Sequence, residues 1–465
     1  MSSPVYDVVG IGFGPSNLAL AVALEEEYGS SVNAVFFERQ PRFGWHRNML
    51  IEGATMQVHF LKDLVTLRNP TSPYSFLSYL QEKGRLVDFI NHKTMFPTRL
   101  EFHDYLEWVA SSFTELVRYA SEVVAVRPHD DDTLEVVVRH GDELHTCLTR
   151  NLVIAVGLDP VLPDGVRQGE RIWHTEELLA RLETLGEREP RRFVVVGAGQ
   201  SAAEAVEHLH RTYPSAEVCA VFTRYGYSPA DDSPFANRIF DPEAVDHFFT
   251  APEDVKRMLF AYSRNTNYSV VDLDLIDELY RRSYAEKVAG VQRLRMLNAS
   301  RLLDVHDDGD TARVRTCFLP TGEVSTIEAD AVVCATGYRE RDPLDLLGEA
   351  REHCRTGAAG ELLVERDYRV AVDPGQSWGV LPPGGHRGQS RDRLVAAVHD
   401  RRPHRRDRAL HRPALGVGPP GRGDVTGGPF GAPFPNGPTR VGRLRDSVCP
   451  NEYVRPCRIS NVTEE

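Results

Sequence analysis

The chain has few cysteines, no long apolar run and no excess of positive charge. Its seven cysteines form no C-x-x-C pair, so neither a disulfide framework nor a zinc site is expected. No stretch approaches the roughly 18 apolar residues that a membrane span needs. The net charge of −13 argues against nucleic acid or an anionic membrane as a partner. With no secretion signal, we expect a cytoplasmic globular protein whose 465 residues suffice for two or three domains.

Two glycine-rich loops are present, and each follows an apolar strand and leads into a helix. Glycines in such loops let the backbone approach a pyrophosphate, whose charge then lies at the N-terminus of the helix. Two loops in one chain indicate two dinucleotides, and the usual reason to hold two is hydride transfer from nicotinamide to flavin. The loop residues are Gly10, Gly12, Gly14, Pro15, Ser16 and Asn17 in the first, and Gly197, Gly199 and Gln200 in the second.

The residue that ends the next strand differs between the two loops. The strand after the first loop ends in Glu38, about 20 residues on, where a carboxylate takes the ribose hydroxyls of an unphosphorylated adenosine. The strand after the second loop ends in Arg224, whose planar guanidinium matches a 2′-phosphate. Either residue could also be a solvated strand end. Together they predict FAD at the first loop and NADPH at the second.

Several further motifs resemble one enzyme family over most of the chain, from Tyr6 to about Trp378. The motifs are GIGFGPSN at 10–17, FLKDLVTLRNP at 60–70, FPTRLEFHDYLEW at 96–108, DDSPFAN at 231–237, NTNYSVVD at 265–272 and ATGY at 335–338. In these the chain resembles the flavin-dependent N-hydroxylating monooxygenases of siderophore biosynthesis, and the L-ornithine N5-monooxygenases in particular. Lysine-acting relatives usually lack the lysine of the KDL motif, so Lys62 favours ornithine.

The resemblance implies a reaction with little acid–base chemistry from the protein. NADPH would reduce FAD, O2 would add to give a flavin C4a-hydroperoxide, and the neutral side-chain amine of L-ornithine would attack it, supplying N5-hydroxyornithine for hydroxamate siderophores. The protein would shield and orient the reactants. No catalytic acid, base or metal ligand is therefore expected. The family also tends to form tetramers, so a homo-oligomer is expected.

The resemblance further implies three substrate-binding residues. Lys62 would pair with the α-carboxylate of the substrate. Asn237 and Asn267 would hydrogen-bond the carboxylate and the α-amine. The alternatives are a solvated Lys62, although apolar neighbours surround it in the sequence, and asparagines that only cap turns.

Motif positions also imply contacts to the two coenzymes. Trp45, His46 and Gln57 would lie beside the flavin, and Ser201 with Arg224 would contact NADPH. Gln57 could instead brace the backbone, and His46 could be a packed core histidine next to Trp45.

Other functions remain open. A lysine or diamine N-hydroxylase of the same family shares much of this framework. Baeyer–Villiger and sulfide-oxidising flavin monooxygenases expect a Gly-x-x-x-His linker between the loops, whereas Gly169 and His174 are five residues apart. A flavoprotein impaired in catalysis, or a nucleotide-binding relic without activity, is the remaining alternative.

The predicted fold class is α/β, with two Rossmann-like dinucleotide-binding domains and a small, partly helical substrate lobe. We expect the FAD-binding domain to comprise 1–187 and, after an insertion, 326–378. The NADPH-binding domain is expected at 188–325, with the substrate lobe at about 228–290.

The segment 379–465 differs in composition from the rest of the chain. It holds 15 arginines, no lysine and eight acidic residues, which gives about +7 and leaves −20 for the preceding part. Glycine and proline make up 25 of its 87 residues, so it is poorly suited to build a core. Our hypothesis is that the reading frame changes near Gly379; the alternative is a genuine disordered basic tail. Either would impair an active site that the family closes with its C-terminal segment.

Overall fold

A computed structural model describes residues 4–382 except 187–188, 267–268, 343, 358–359 and 361. The strands in chain order are Val5–Ile11 (β1), Ala34–Phe37 (β2), Val117–Arg118 (β3), Ser121–Pro128 (β4), Leu134–His140 (β5), Glu143–Ile154 (β6), Leu158–Pro160 (β7), Ile172–His174 (β8), Arg192–Val196 (β9), Glu217–Val221 (β10), Leu294–Leu297 (β11), Ser300–Asp307 (β12), Ala312–Phe318 (β13), Glu323–Ala329 (β14), Ala331–Cys334 (β15), Tyr338–Glu340 (β16) and Gly379–Leu381 (β17).

Within the described ranges, ten helices lie in six of the connections between consecutive strands. They are Pro15–Tyr28 (α1), Phe76–Glu82 (α2), Leu86–His92 (α3), Arg99–Ser111 (α4), Leu178–Glu183 (α5), Gln200–Thr212 (α6), Pro242–Thr250 (α7), Glu253–Tyr262 (α8), Leu273–Val288 (α9) and Leu344–Leu347 (α10). In the part of the chain that the structure describes, no helix is long and apolar enough to cross a membrane.

The first sheet has seven strands in the order β3-β2-β1-β6-β5-β4, with β17 also paired to β6. Strands β1, β2, β3, β6 and β17 pair in parallel, whereas β4, β5 and β6 form an antiparallel meander. The central strand β1 is buried on both faces, with Val8 and Val9 fully inaccessible. Such near-continuous apolar strands are typical of parallel sheets covered on both sides.

The second sheet has five strands, all parallel, in the order β11-β10-β9-β15-β8. Helix α6 packs its alanine-rich face on it, with Ala202, Ala203 and Val206 fully buried. Small side chains allow the helix to approach the sheet closely, directly after the second glycine loop.

Two smaller sheets complete the strands. β12, β13 and β14 form an antiparallel three-stranded sheet, and β7 pairs antiparallel with β16. The β7–β16 pair is secured by the hydroxyl of Thr336, which donates to the carbonyl of Val161, and by the N–H of Val161, which donates to Gly337 O at 3.0 Å.

The α/β class with two Rossmann-like sheets is confirmed, but one strand differs from the sequence expectation. The sequence predicts that the strand leading into ATGY, β15, returns to the first sheet within 326–378. It pairs instead with β9 and β8 in the second sheet. A four-residue strand that is buried throughout carries no pattern that indicates which sheet it joins, which explains the error. The domain boundaries themselves stay a prediction.

The chain returns to the first sheet later than expected, at β17. Gly379, the start of the segment of anomalous composition, pairs with Asn151 of β6. The next two residues, Val380 and Leu381, are fully buried. Regular structure therefore extends past the expected boundary at 379. Residues 383–465, on which the reading-frame hypothesis depends, lie outside the described residues.

A substitution of Trp378, the residue directly before β17, tests whether this end of the described chain is an integral part of the core. Its ring is fully buried in a cluster with strands β4 to β6, so Trp378→Ala should lower the free energy of unfolding by about 3–5 kcal/mol. Val364, 38% exposed, provides the control, and Val364→Ala should cost less than about 1 kcal/mol. Urea and thermal unfolding followed by circular dichroism measure both. Equal effects of the two changes would contradict the assignment.

Candidate functional site

The first glycine loop connects β1 to α1 in a conformation that only glycine permits. Gly12 has φ +82°, and a Cβ on it would lie 2.4 Å from the carbonyl oxygen of Ala155. Gly14 lies directly before the first residue of α1, and apart from its chain neighbours no atom of the described residues lies within 4 Å of the place where its Cβ would be. The loop thus leaves room at a helix N-terminus, as a bound pyrophosphate requires.

Asn17 supports this loop from within. Its side chain is fully buried, and Nδ2 donates to the carbonyl oxygens of Gly12 at 2.7 Å and Ile11 at 3.3 Å. A role for Asn17 at the coenzyme would therefore act through the shape of the loop.

Glu38 is held against the same loop. One carboxylate oxygen accepts from the N–H of Phe13 at 2.7 Å, and the other accepts from the N–H of Gln40 at 2.8 Å. Each carboxylate oxygen can accept more than one hydrogen bond, so ribose hydroxyls could still be bound. The side chain is only 7% exposed, so it is not a solvated strand end.

The second loop repeats this steric arrangement between β9 and α6. Gly197 has φ +145°, and a Cβ there would lie 2.3 Å from the carbonyl oxygen of Ala335, the residue after β15. Ser201 is in the first turn of α6. A Cβ on Gly199 would lie 3.6 Å from Cα of Ser269, so the segment before α9 runs beside the loop.

Arg224 lies three residues after β10 and is exposed. Its Nη1 donates to the carbonyl oxygen of Ser269 at 2.8 Å and to Oγ of Ser228 at 3.3 Å. The guanidinium is thus held by neighbouring segments while its side chain stays accessible to solvent.

Trp45 and His46 lie at a turn next to α4. The Trp45 ring packs edge-on against Phe102, with centroids 6.1 Å apart, and against His46 at 4.6 Å. His46 has a left-handed backbone with φ +50°, and its side chain is exposed. The alternative that His46 is a packed core histidine is therefore wrong.

Lys62 is exposed, although buried residues follow it. It ends the 3-10 turn Phe60–Lys62, which is anchored because Phe60 packs against Phe76 and Phe89. Its ammonium lies 5.4 Å from the ring centroid of Phe240, a cation–π contact. The apolar neighbours in the sequence therefore fix the turn and not the lysine itself.

Asn237 lies in the 3-10 turn Ala236–Phe240, the same turn that brings Phe240 to Lys62. Its Nδ2 donates to the carbonyl oxygens of Asp232 at 2.8 Å and Ser233 at 3.3 Å. The amide thus stabilises its own turn, which leaves its carbonyl oxygen as the group it could offer a ligand. Asn267 lies outside the described residues.

A polar network that the sequence did not predict joins the segment at Gln57 to the second loop. Nε2 of Gln57 donates to Oδ2 of Asp272 at 2.6 Å, and Nε2 of Gln200 donates to the same oxygen at 3.2 Å. Gln200 also donates to Glu204 at 3.1 Å, and its Oε1 accepts from the N–H of Asp272 at 2.8 Å. Burial raises the pKa of Asp272, while the two amide donors oppose that shift.

Glu204 extends the network to α4. Both of its oxygens accept from the guanidinium of Arg99, at 2.7 and 2.9 Å, and Arg99 also donates to the carbonyl oxygen of Met49 at 2.9 Å. The side chains of Arg99 and Glu204 are 12% and 4% exposed. An acid inside the alanine-rich stretch at 202–205 was a signal in the sequence that a buried partner exists.

No group of three or more His, Cys, Asp or Glu side chains among the described residues could hold a metal ion. The polar groups near the second loop are the Gln57 and Gln200 amides, the Asp272 carboxylate and the Arg99–Glu204 ion pair, whereas the carboxylate at the first loop is that of Glu38.

Comparison with known proteins gives consistent matches over most of the chain. Residues 4–340 match a family model described as L-lysine 6-monooxygenase/L-ornithine 5-monooxygenase. An L-ornithine N(5)-monooxygenase from Burkholderia cepacia is 41% identical over 388 residues, which covers 79% of this chain and 86% of that protein.

Solved structures agree. The ornithine N-hydroxylase KtzI of Kutzneria sp. 744, in a structure with reduced FAD, NADP+ and L-ornithine, has 44% sequence identity to this chain and a TM-score of 0.83. That match covers 86% of this chain and 100% of the other. L-lysine 6-monooxygenase from Pseudomonas syringae is 31% identical with a TM-score of 0.74, and its match covers 85% of this chain and 99% of that one.

The Arg99–Glu204 pair offers a test of how strongly α4 is tied to α6. Glu204→Ala leaves the Arg99 charge buried without its carboxylate and should cost about 3–5 kcal/mol of stability. Replacing both residues by methionine should recover most of that loss, because no charge is then left buried. Thermal and urea unfolding measure both variants.

The surface pair Arg181–Glu177 is the matched control, with both side chains about one-third exposed. Glu177→Ala should change stability by no more than about 0.5 kcal/mol. A Glu204→Ala protein as stable as this control would mean that the buried pair does not hold the two helices together.

Proposed function

Because the chain belongs to the L-lysine 6-monooxygenase/L-ornithine 5-monooxygenase family, we propose that it hydroxylates the side-chain amine of L-ornithine, using FAD, NADPH and O2. The product would be N5-hydroxyornithine, a building block of hydroxamate siderophores. The observation that carries the proposal is the similarity, over most of this chain, to an ornithine N-hydroxylase whose structure contains FAD, NADP+ and L-ornithine.

The residues at the first loop fit FAD. Gly14 leaves space in front of α1 for the pyrophosphate, and Glu38, held at the loop by the N–H groups of Phe13 and Gln40, is proposed to accept from the adenosine ribose. Trp45, His46 and Gln57 are proposed to lie beside the ring system. When bound, FAD supplies the redox chemistry and the activation of oxygen, which no side chain provides.

The residues at the second loop fit NADPH. Gly197 and Gly199 allow the backbone to approach the pyrophosphate, and Ser201 lies in the first turn of the helix that follows. Arg224 carries the charge that a 2′-phosphate needs, on an accessible side chain.

The substrate is proposed to bind through its amino-acid end. The exposed ammonium of Lys62 can pair with the α-carboxylate, and the neighbouring turn offers the carbonyl oxygen of Asn237 to the α-amine. Asn267 is proposed as a third contact on the basis of the motif alone. The exposed Lys62 ammonium suits an amino acid better than a diamine, since putrescine has no carboxylate to pair with it.

We propose further that the enzyme works in the cytoplasm as a homo-oligomer, a tetramer by family resemblance. Sedimentation of the purified full chain would test the assembly, and a monomer at working concentration would contradict it.

The proposed activity is tested by supplying the purified, FAD-loaded full chain with NADPH and ornithine, lysine or putrescine in turn. We expect a yellow protein that forms hydroxylated ornithine with kcat/KM at least about tenfold above that for the other amines, because one methylene or one unpaired polar group is worth that much. A yellow protein that hydroxylates none of the three amines would contradict the activity; preference for lysine or putrescine would establish the alternative.

In the same assay, the Lys62→Met variant tests whether Lys62 binds the substrate carboxylate. We expect the KM for ornithine to rise about tenfold or more, because a charge-assisted bond to the carboxylate is lost, while turnover of putrescine stays the same. Lys83→Met, at a partly exposed lysine that follows α2 in the chain, is the control and should leave both unchanged.

Arg224→Ala tests the coenzyme assignment. The KM for NADPH should rise about 10- to 100-fold, as expected for a lost charged contact, while the KM for NADH stays the same. Arg301→Ala, an exposed arginine in β12, should change neither. Equal increases for the two coenzymes would mean that Arg224 does not contact the 2′-phosphate.

A further inference from the structure

Asp272 occupies the position before α9 where an aspartate normally caps its helix, yet its carboxylate is used elsewhere. Within α9, which is described throughout, no backbone N–H bonds to this side chain. Its Oδ2 instead accepts from Gln57, 215 residues earlier in the chain, and from Gln200 of the second loop. A helix cap contributes about 1 kcal/mol, so giving it up points to another requirement.

The backbone holds both partners in place. Val271 is fully buried and exchanges hydrogen bonds with Ser228 and Ala230, at 2.9 and 3.1 Å. Met56, next to Gln57, is buried, and its N–H donates at 2.8 Å to the carbonyl oxygen of Pro97, two residues before α4. The contact between Gln57 and Asp272 is therefore set by two anchored segments.

This contact decides which way the Gln57 amide is turned. A carboxylate accepts hydrogen bonds and cannot donate them, so the amino group of Gln57 must face Asp272. The carbonyl oxygen then lies on the opposite side of the amide group, and the side chain is exposed. Gln200 differs, because both ends of its amide are engaged within the network.

We propose that Asp272 is a positioning residue for the reaction: by holding the amino group of Gln57, it presents the Gln57 carbonyl oxygen to an N–H donor of the bound flavin or nicotinamide. This rests on the proposed function, which puts Gln57 beside the flavin. The role is distinct from coenzyme binding by Asp272 itself, whose carboxylate faces two protein amides.

The test compares Asp272→Ala, Asp272→Asn, Gln57→Ala and the double variant Asp272→Ala/Gln57→Ala, each as FAD-loaded full chain. One readout is the peroxide released per NADPH oxidised with ornithine present, since a misoriented site wastes reduced coenzyme. The second, without turnover, is the change in the visible absorption of FAD when NADP+ is added. Asp274→Ala, an exposed aspartate in the first turn of α9, is the control.

We expect Asp272→Ala and Gln57→Ala each to raise the peroxide fraction about three- to tenfold, and the double variant to match either single one, because the residues act as one unit. Asp272→Asn should stay within about twofold of the unchanged protein, because its carbonyl oxygen can still accept from Gln57. Asp274→Ala should behave like the unchanged protein. The absorption change should follow the same pattern.

Additive effects of the two alanine changes would overturn the proposal. So would an Asp272→Ala protein that loses thermal stability but keeps the peroxide fraction and the absorption change of the unchanged protein, since Asp272 would then be structural only. If the unchanged protein is yellow but hydroxylates no ornithine, the proposed function fails, while the absorption measurements still decide the role of Asp272.

Discussion

Two glycines, each pressed against a backbone carbonyl, fix the places where this chain can hold a dinucleotide. Gly12 faces Ala155, the residue after β6, and Gly197 faces Ala335, the residue after β15. In both sheets the facing strand lies directly beside the strand that enters the loop. Each loop is therefore wedged between two strand ends, and the helix that follows must begin at the carboxyl edge of its sheet, where ligands of such folds bind.

Because each loop is fixed to its own sheet, the spacing of the two nucleotide sites depends on contacts between them. Among the described residues, these contacts include two polar ones near the second loop, Arg99 with Glu204 and Gln57 with Asp272, beside the apolar packing of Met49 and Ile51 in the core under the second sheet. Polar contacts demand specific distances and directions, whereas apolar side chains tolerate sliding and repacking. Hydride transfer between two rings needs such specific distances and directions, since a displacement of about 1 Å at a reacting centre slows the reaction considerably.

The sequence predicted features that are local in the chain. Both loops, Glu38 and Arg224 follow from spacing within about 25 residues, so a linear pattern contains them. The sheet that β15 joins and the Asp272–Gln57 contact depend on pairings across 138 or more residues, for which a single sequence has no local signal. Lys62 shows the same limit, because its apolar neighbours were interpreted as a sign that the lysine has a partner, whereas in the structure they anchor a turn that leaves the lysine exposed.

Asp272 is unfavourable for folding in two respects, which argues that its role is to position Gln57 and not to stabilise the fold. Burial raises the pKa of its carboxyl, so folding penalises the ionised form, and the stability it offers declines as the pH rises from the unfolded pKa through the raised folded value. It also leaves its own helix uncapped. An apolar residue or an ordinary cap would be more favourable for folding alone. Local rules of this kind are broken mainly where a side chain must be held in one orientation, and the Gln57 amide, held by Asp272 beside the second loop, is such a side chain.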